Sequence, residues 1–253
     1  MEVISRPHWR RRAIPALSVA LLLTFAAFAL LFARVGVSGL GTAHAATVHL
    51  STDPFTQATC KASATTNHHT EVEPDTYSNG STIVATFQVG RIYDGGACAI
   101  GFATSTNNGA TWTNGLLPGI TKYVGGGPND RATDASVAYD AKHGVWLISS
   151  LTLLEAGGVH GNSVVTSRST DGVTWSNPFT TATGSNLDKN WIVCDNTATS
   201  PFYGNCYTEW DDHGAGNLLQ MSTSSDGGQT WGAPKTDNSG AIGGNRLCAR
   251  MAP

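Results

Sequence analysis

The sequence predicts an all-β chain of repeated antiparallel sheets, and three observations carry that prediction. Stretches rich in Val, Ile, Thr and aromatic residues alternate polar with apolar or run apolar, and Gly, Asn and Asp split them. After the N-terminal segment no long stripe of helical period interrupts them, and the chain carries 29 glycines. One short pattern is written three times: "STNNGATW" from Ser105, "STDGVTW" from Ser169 and "SSDGGQTW" from Ser224.

Residues 1–45 stand apart. Arg6, Arg10, Arg11 and Arg12 precede an apolar run over residues 14–33, and the small-residue site Ala43-His44-Ala45 follows, the layout of a secretory signal. The run is also just long enough to span a bilayer as a helix, so a cleaved signal and a retained N-terminal membrane anchor are both open. In either case the arginines stay inside, and everything after about residue 46 is secreted or extracytoplasmic. Without this leader, 10 basic residues face 17 acidic ones, a net charge of −7. That balance argues against a nucleic-acid partner, which needs a basic face. Residues 46–69 read as a polar linker or first strand.

From residue 70 to 236 each tryptophan of the pattern closes a similar block. "STIVATFQVGR" and "ACAIGFATS" precede Trp112. "ASVAYDAKHGVWLISSLTLL" and "NSVVTSRS" precede Trp175. The third block has "NWIVCD", "CYTEW" and "NLLQMSTS" ahead of Trp231. The tryptophans are 63 and 56 residues apart. That period, with about four strands per unit, is what a β-propeller of four-stranded antiparallel blades requires. The blades fall at about 70–120, 131–180 and 187–236, and an atypical basic tail occupies 237–253. The pattern itself is a hairpin device. Its Asp accepts hydrogen bonds from backbone N–H groups two residues on, its Gly supplies a positive φ, and the indole covers the turn.

In S-x-D-x-G-x-T-W form the pattern is the Asp-box, or bacterial neuraminidase repeat, and the chain resembles the sialidase-type β-propeller superfamily. Ser224, Asp226, Gly228, Thr230 and Trp231 match every position. Ser105, Gly109, Thr111 and Trp112 match with Asn107 in place of Asp, and the middle copy keeps Asp171, Thr174 and Trp175 but is one residue shorter. In that superfamily the box lies at the rim of a blade, away from the chemistry, so these residues are read as structural. The resemblance implies six blades, of which three are visible here. A truncated copy, a half-ring that self-associates, and blades whose pattern is lost are the three explanations.

The resemblance also implies a site: three arginines for a substrate carboxylate, an Asp acid/base, and a Tyr–Glu nucleophile. The first arginine belongs to an Arg-Ile-Pro at the start of the first blade, where this chain has "EVEPD" with Glu73 and Pro74. A carboxylate there would repel a sialic acid. "FQVGRIYDGG" fits better: it resembles the family's second strand, which ends in an Arg before the loop with the catalytic Asp, and Arg91 and Asp94 match those positions. Asp94 sits in a Gly-flanked loop where a raised pKa would suit a general acid, or it is simply an Asp–Gly turn. At the other blade starts, Asp134 and Asp188 are expected to face a shared central cavity with Glu73 as counterpart. They would bind sugar hydroxyls or a cation there, or else hold neighbouring blades together. Arg131 is the spare candidate for a carboxylate contact. Tyr207 and Glu209 share a strand face, but the family's pair comes from later blades, so packing is the reading for them.

All five cysteines follow the leader, and no C-x-x-C occurs, which speaks against zinc or redox chemistry. Cys194 and Cys206 flank a loop rich in turn residues and are expected to form a disulfide. The pairing of Cys60, Cys98 and Cys248 is open. No phosphate-cradling glycine pattern and no metal-ligand spacing appears, so no cofactor and no metal is expected. Together these readings describe an exported, sialidase-like protein acting on or binding an extracellular glycan or glycoconjugate, with an incomplete active site. The alternative is a non-catalytic module that binds polysaccharide or protein. Hydrolysis by these 253 residues alone is not expected.

Overall fold

The computed structural model describes residues 47–236; the apolar run 14–33 and the tail with Cys248 lie outside them. Among the described residues the chain is all-β, with one turn of 3₁₀ helix at His213–Ala215, and no helix long and apolar enough to cross a membrane. After a two-residue β1 (Thr66–Asn67), the strands fall into three antiparallel meanders. β2 (Val72–Asn79), β3 (Thr82–Ile92), β4 (Ala97–Ser105) and β5 (Thr113–Leu116) make the first. β6 (Arg131–Asp140), β7 (Val145–Leu154), β8 (His160–Ser169) and β9 (Phe179–Thr183) make the second. The third is β10 (Leu187–Cys194), β11 (Cys206–Asp212), β12 (Leu218–Ser224) and β13 (Lys235–Thr236). β1 pairs with the end of β3 that lies beyond β2, and a single residue pair, Ala97 with Ala132, links the first two meanders.

The apolar runs follow from how the sheets are covered. Successive side chains of a strand point to opposite faces, so a sheet buried on both faces needs apolar or small residues at every position. β4 is buried throughout, and β7 at all positions but its last. Val84, Ile100 and Phe102 of the first meander pack on Val137, Trp146 and Ile148 of the second. Ala138, Val145 and Leu147 on the other face of the second meet Ile192 and Cys206 of the third. Burying side chains of this size stabilises by about 1.5–3 kcal/mol each. The segment before β2 is more than a linker: Leu50 and Phe55 cover Ala85, Phe87 and Val89 on the free face of the first meander.

The meanders are also tied strand to strand at their first members. The Asp75 carboxylate of β2 accepts from Val137 N of β6 (2.8 Å), and the Ser136 hydroxyl of β6 accepts from Ile192 N of β10 (3.1 Å). β2, β6 and β10 therefore lie side by side, cross-linked by side chains rather than by a shared ladder. Two disulfides are present, Cys60–Cys98 and the expected Cys194–Cys206.

At one end of each meander lies the repeated turn, and its hydrogen bonds recur. Ser105 Oγ donates to Asn107 Oδ1, Ser169 Oγ to Asp171 Oδ1 and Ser224 Oγ to Asp226 Oδ1, at 2.9, 2.8 and 2.8 Å. The same serine oxygens accept from Gly109, Gly172 and Gly228 N at 2.8, 2.8 and 2.9 Å. The middle copy keeps this contact although it is one residue shorter, because Gly172, directly after Asp171, takes the place of Gly109 and Gly228. All three glycines have positive φ (85°, 75° and 78°), which a Cβ would oppose. The side-chain oxygen of Asn107, Asp171 or Asp226 then accepts from the N–H of Thr111, Thr174 or Thr230.

The indoles do not share an interior. Trp175 lies between the first two meanders and Trp231 between the second and third. Trp112 packs on the side covered by Leu50 and Phe55. The second and third turns also accept a bond from the meander before them, Thr104 Oγ1 to Gly172 O (2.5 Å) and Arg168 Nε to Gly227 O. Trp112 and Trp175 donate to their own turns, whereas Trp231 of the copy with the full pattern has a buried, unpartnered indole N–H.

Candidate functional site

The opposite end of the meanders holds a cleft of about 350 Å³ whose lining includes Glu73, Arg91, Asp94, Asp134, Asp188 and Lys189. A repeated backbone irregularity builds it. Each first strand breaks register against its partner at the same place: between Val72 and Asp75, between Thr133 and Ser136, and between Asp188 and Trp191. The residue after each break begins a bulge and has left-handed φ: Glu73 (53°), Asp134 (49°) and Lys189 (52°). Non-glycine residues at such φ are uncommon, and bulges serve to re-aim side chains. The equivalent of Glu73 and Asp134 in the third meander is thus Lys189, not Asp188. The expected ring of three carboxylates becomes two carboxylates and an ammonium, with Asp188 one residue back but still in the lining.

Asp134 is the most perturbed group of the cleft. Its side chain is 10% exposed. Burial raises its pKa to about 6; Lys189 opposes the rise, and the nearby Glu73 and Asp188 carboxylates add to it. Lys189 Nζ lies 3.5 Å from Asp134 Oδ1 and is itself raised, chiefly by that carboxylate. Gln88 donates to both Glu73 and Thr133, the latter at 2.9 Å, which fixes the floor between the first two bulges. His213 adds a rim, bonded to Asp211 at 2.9 Å and lying 3.8 Å from Asp188.

Asp94 lies in the loop after β3 and takes the opposite character. Its carboxylate receives Arg131 Nη1 at 2.5 Å, and that hydrogen bond holds its pKa below the usual 3.8. The raised pKa expected for a general acid at this position is not what the structure gives. A buried guanidinium stabilises the charged form, so Asp94 stays ionised.

Arg131 is placed differently from the expectation of a substrate contact. It is fully buried beneath the cleft, with Nε on Glu155 (2.7 Å), Nη1 on Asp94 and Gly95 O (2.7 Å), and Nη2 on Ser63 Oγ (2.8 Å). Four of its five N–H donors are spent on the protein and the side chain is fully buried, so it positions Asp94 rather than reaching outward. Arg91 lines the cleft but turns its guanidinium to Ile92 O and Gly96 O. Tyr207 and Glu209 lie in the third meander, outside the lining; burial raises the pKa of Glu209.

The sequence therefore named five members of one cleft: Glu73, Arg91, Asp94, Asp134 and Asp188. It did not single out Lys189 as a site residue. The signal was present, because Lys189 stands one residue after Asp188 as Asp134 stands one after Thr133. Reading it needed the register of the bulges.

No protein-family model matches the chain, and no curated protein matches its sequence. Among solved structures it is similar to an α-L-arabinanase of Penicillium chrysogenum at 10% identity, over 64% of this chain and 44% of that one (TM-score 0.43). It is also similar to a Trypanosoma rangeli sialidase at 15% identity over 66% and 31% (TM-score 0.44). A Bacillus subtilis arabinanase matches at 16% identity over 67% and 55% (TM-score 0.41). The chain spans about half the length or less of these structures.

Proposed function

We propose that the chain is part of an extracytoplasmic propeller-type protein whose three meanders are consecutive blades, and that the cleft at their first strands is a glycan-acting site. The observation that carries this reading is the pair of carboxylates with opposite shifts in one cleft. Asp134 is pushed up to about 6, and Asp94 is held below 3.8. Two titratable groups driven apart by their surroundings supply an acid and a base at one pH. Asp134 donates the proton to the leaving glycosidic oxygen. Asp94, ionised on Arg131, activates water or attacks the anomeric carbon. The two disulfides fit an oxidising compartment.

The charge of the cleft bears on the substrate. Glu73, Asp94, Asp134 and Asp188 outnumber Arg91 and Lys189, and Arg131 is committed below. Like charges about 5 Å apart repel by roughly 1–3 kcal/mol in surroundings between protein surface and water. An uncharged glycoside is therefore favoured over the sialoside that the Asp-box resemblance implies.

Hydrolysis of a panel of neutral aryl glycosides and an aryl sialoside tests the reading. Because both carboxylates line one cleft of this chain, this reading departs from the sequence expectation of no independent hydrolysis. Turnover is expected with a neutral glycoside, with an alkaline limb near pH 6 from Asp134 and an acid limb below pH 3.8 from Asp94. Asp134→Asn should lower kcat at least ~100-fold. Turnover that survives this substitution with an unmoved alkaline limb would remove Asp134 from the mechanism. Binding without turnover by any variant would reassign the cleft to a polysaccharide-binding module.

A further inference from the structure

A second cleft, of about 410 Å³, lies between β8, β9 and the loop that joins the first meander to the second. Unlike the first, its lining carries no charged side chain. We infer that it binds an uncharged, hydroxyl-rich ligand, an oligosaccharide, independently of the chemistry assigned to Asp134 and Asp94.

Its polar groups are both available and oriented. Asn129 is buried and fixed, donating to Ile120 O (2.8 Å) and accepting from Asn162 Nδ2 (3.0 Å). Asn162 is thereby aimed, with its Oδ1 and second amide hydrogen left uncommitted. The side chains of Asn177, Thr180 and Thr183 make no hydrogen bond within the described protein and border the same space, with Pro178 as an apolar surface among them. Amides and hydroxyls each donate and accept, the pattern that neighbouring sugar hydroxyls present in return. A phosphate or carboxylate would find no cation here, and a cation no carboxylate.

The wall opposite these groups is built to stay in place. A Cβ on Gly125 would stand 2.7 Å from Gly119 N, and one on Gly127 2.5 Å from Gly119 O. Only glycine lets the loop close on itself so tightly. Gly119 N to Val124 O (3.0 Å), Gly127 N to Thr121 O (3.0 Å) and Lys122 N to Asn129 O (2.9 Å) hold it shut. The run Gly125 to Pro128 is thus one side of a preformed cleft, which lowers the ordering cost of binding. β9 also ends its sheet, so an extended peptide pairing with that edge is the competing occupant.

Calorimetric titration of the full chain with cellohexaose, xylohexaose, mannohexaose and a Thr-Val hexapeptide decides the matter. At least one hexasaccharide should bind with Kd below ~1 mM, weakened tenfold or more by Asn177→Asp and by Thr180→Val. Both residues are exposed, so unfolding is not expected, and an unchanged Tm checks this. Asp134→Asn should leave this binding intact even if it abolishes turnover in the charged cleft, which separates failure here from failure there. No hexasaccharide binding, binding insensitive to both substitutions, binding lost with Asp134→Asn, or binding of the peptide alone would each overturn the proposal.

Discussion

The two ends of the meanders treat the same side chain in opposite ways. At the turn end, Asp171 and Asp226 are drawn down to about 2. For Asp171 the leading cause is the Thr174 N–H. For Asp226 a burial cost is outweighed by the hydroxyl and N–H of Thr230. At the cleft end, Asp134 is pushed up to about 6 because burial is not matched by donors, and its Oδ2 has no partner at all. A carboxylate is therefore a structural tie where backbone N–H groups surround it. It is shifted towards its protonated form where burial and other carboxylates surround it.

The comparison can be broken or sharpened by substitution, and the largest effect is expected beneath the cleft. Arg131→Leu leaves Glu155 and Asp94 without their shared guanidinium and should cost about 3–5 kcal/mol in chemical denaturation. A loss under ~1 kcal/mol would mean that the ties of Arg131 to Glu155 and to the half-exposed Asp94 add little net stability.

Next comes Asp134→Asn, which should stabilise the protein by up to about 3 kcal/mol at pH 8 while removing the acid. The folded pKa of about 6 lies above the unfolded value of 3.8, so ionisation opposes folding as pH rises. The gain should appear between those two values and be absent below 3.8. Asn is also well tolerated at the left-handed φ of residue 134. Melting curves of both proteins from pH 3 to 8 would show this crossover or its absence.

Asp226→Ala should cost about 1–2 kcal/mol at neutral pH by stripping the turn of its acceptor, exposure keeping the loss moderate. Here the sign is reversed. The folded pKa of about 2 lies below 3.8, so the stabilisation is full above 3.8 and fades as pH falls through 2. The smallest effect is expected for Asn107→Asp. Asn107 Oδ1 already accepts from Ser105 and Thr111, and its Nδ2 reaches Thr111 Oγ1 at 2.8 Å. A hydroxyl that turns to donate replaces the amide, and stability should move by less than ~0.5 kcal/mol.

Much of the fold was legible because it is written in local codes. Ser, Asp or Asn, Gly, Thr and Trp at fixed short spacing define a turn whose internal hydrogen bonds fall within eight residues, as between Ser105 and Trp112. The strands before each turn announce themselves by composition, and the Cys194–Cys206 loop by its flanks. The cleft was legible in membership only. Glu73, Asp134 and Asp188 could be placed near one another from the repeat, and Asp94 only through the family resemblance, but Lys189 was passed over in favour of its acidic neighbour Asp188, because a bulge shifts the equivalence by one.

What the sequence by itself determined is the element series and its turn chemistry, since both rest on interactions between residues a few positions apart. Packing decided the roles. Arg131 reads as a free cation in the chain and is a buried strut in the fold, because Ser63, Asp94 and Glu155 arrive from three distant segments to take its donors. Asp94 and Asp134 read alike as acids, and only their surroundings separate them. A pKa is set by the field and solvent at a point in space, and neighbours in space are what a linear sequence leaves undetermined.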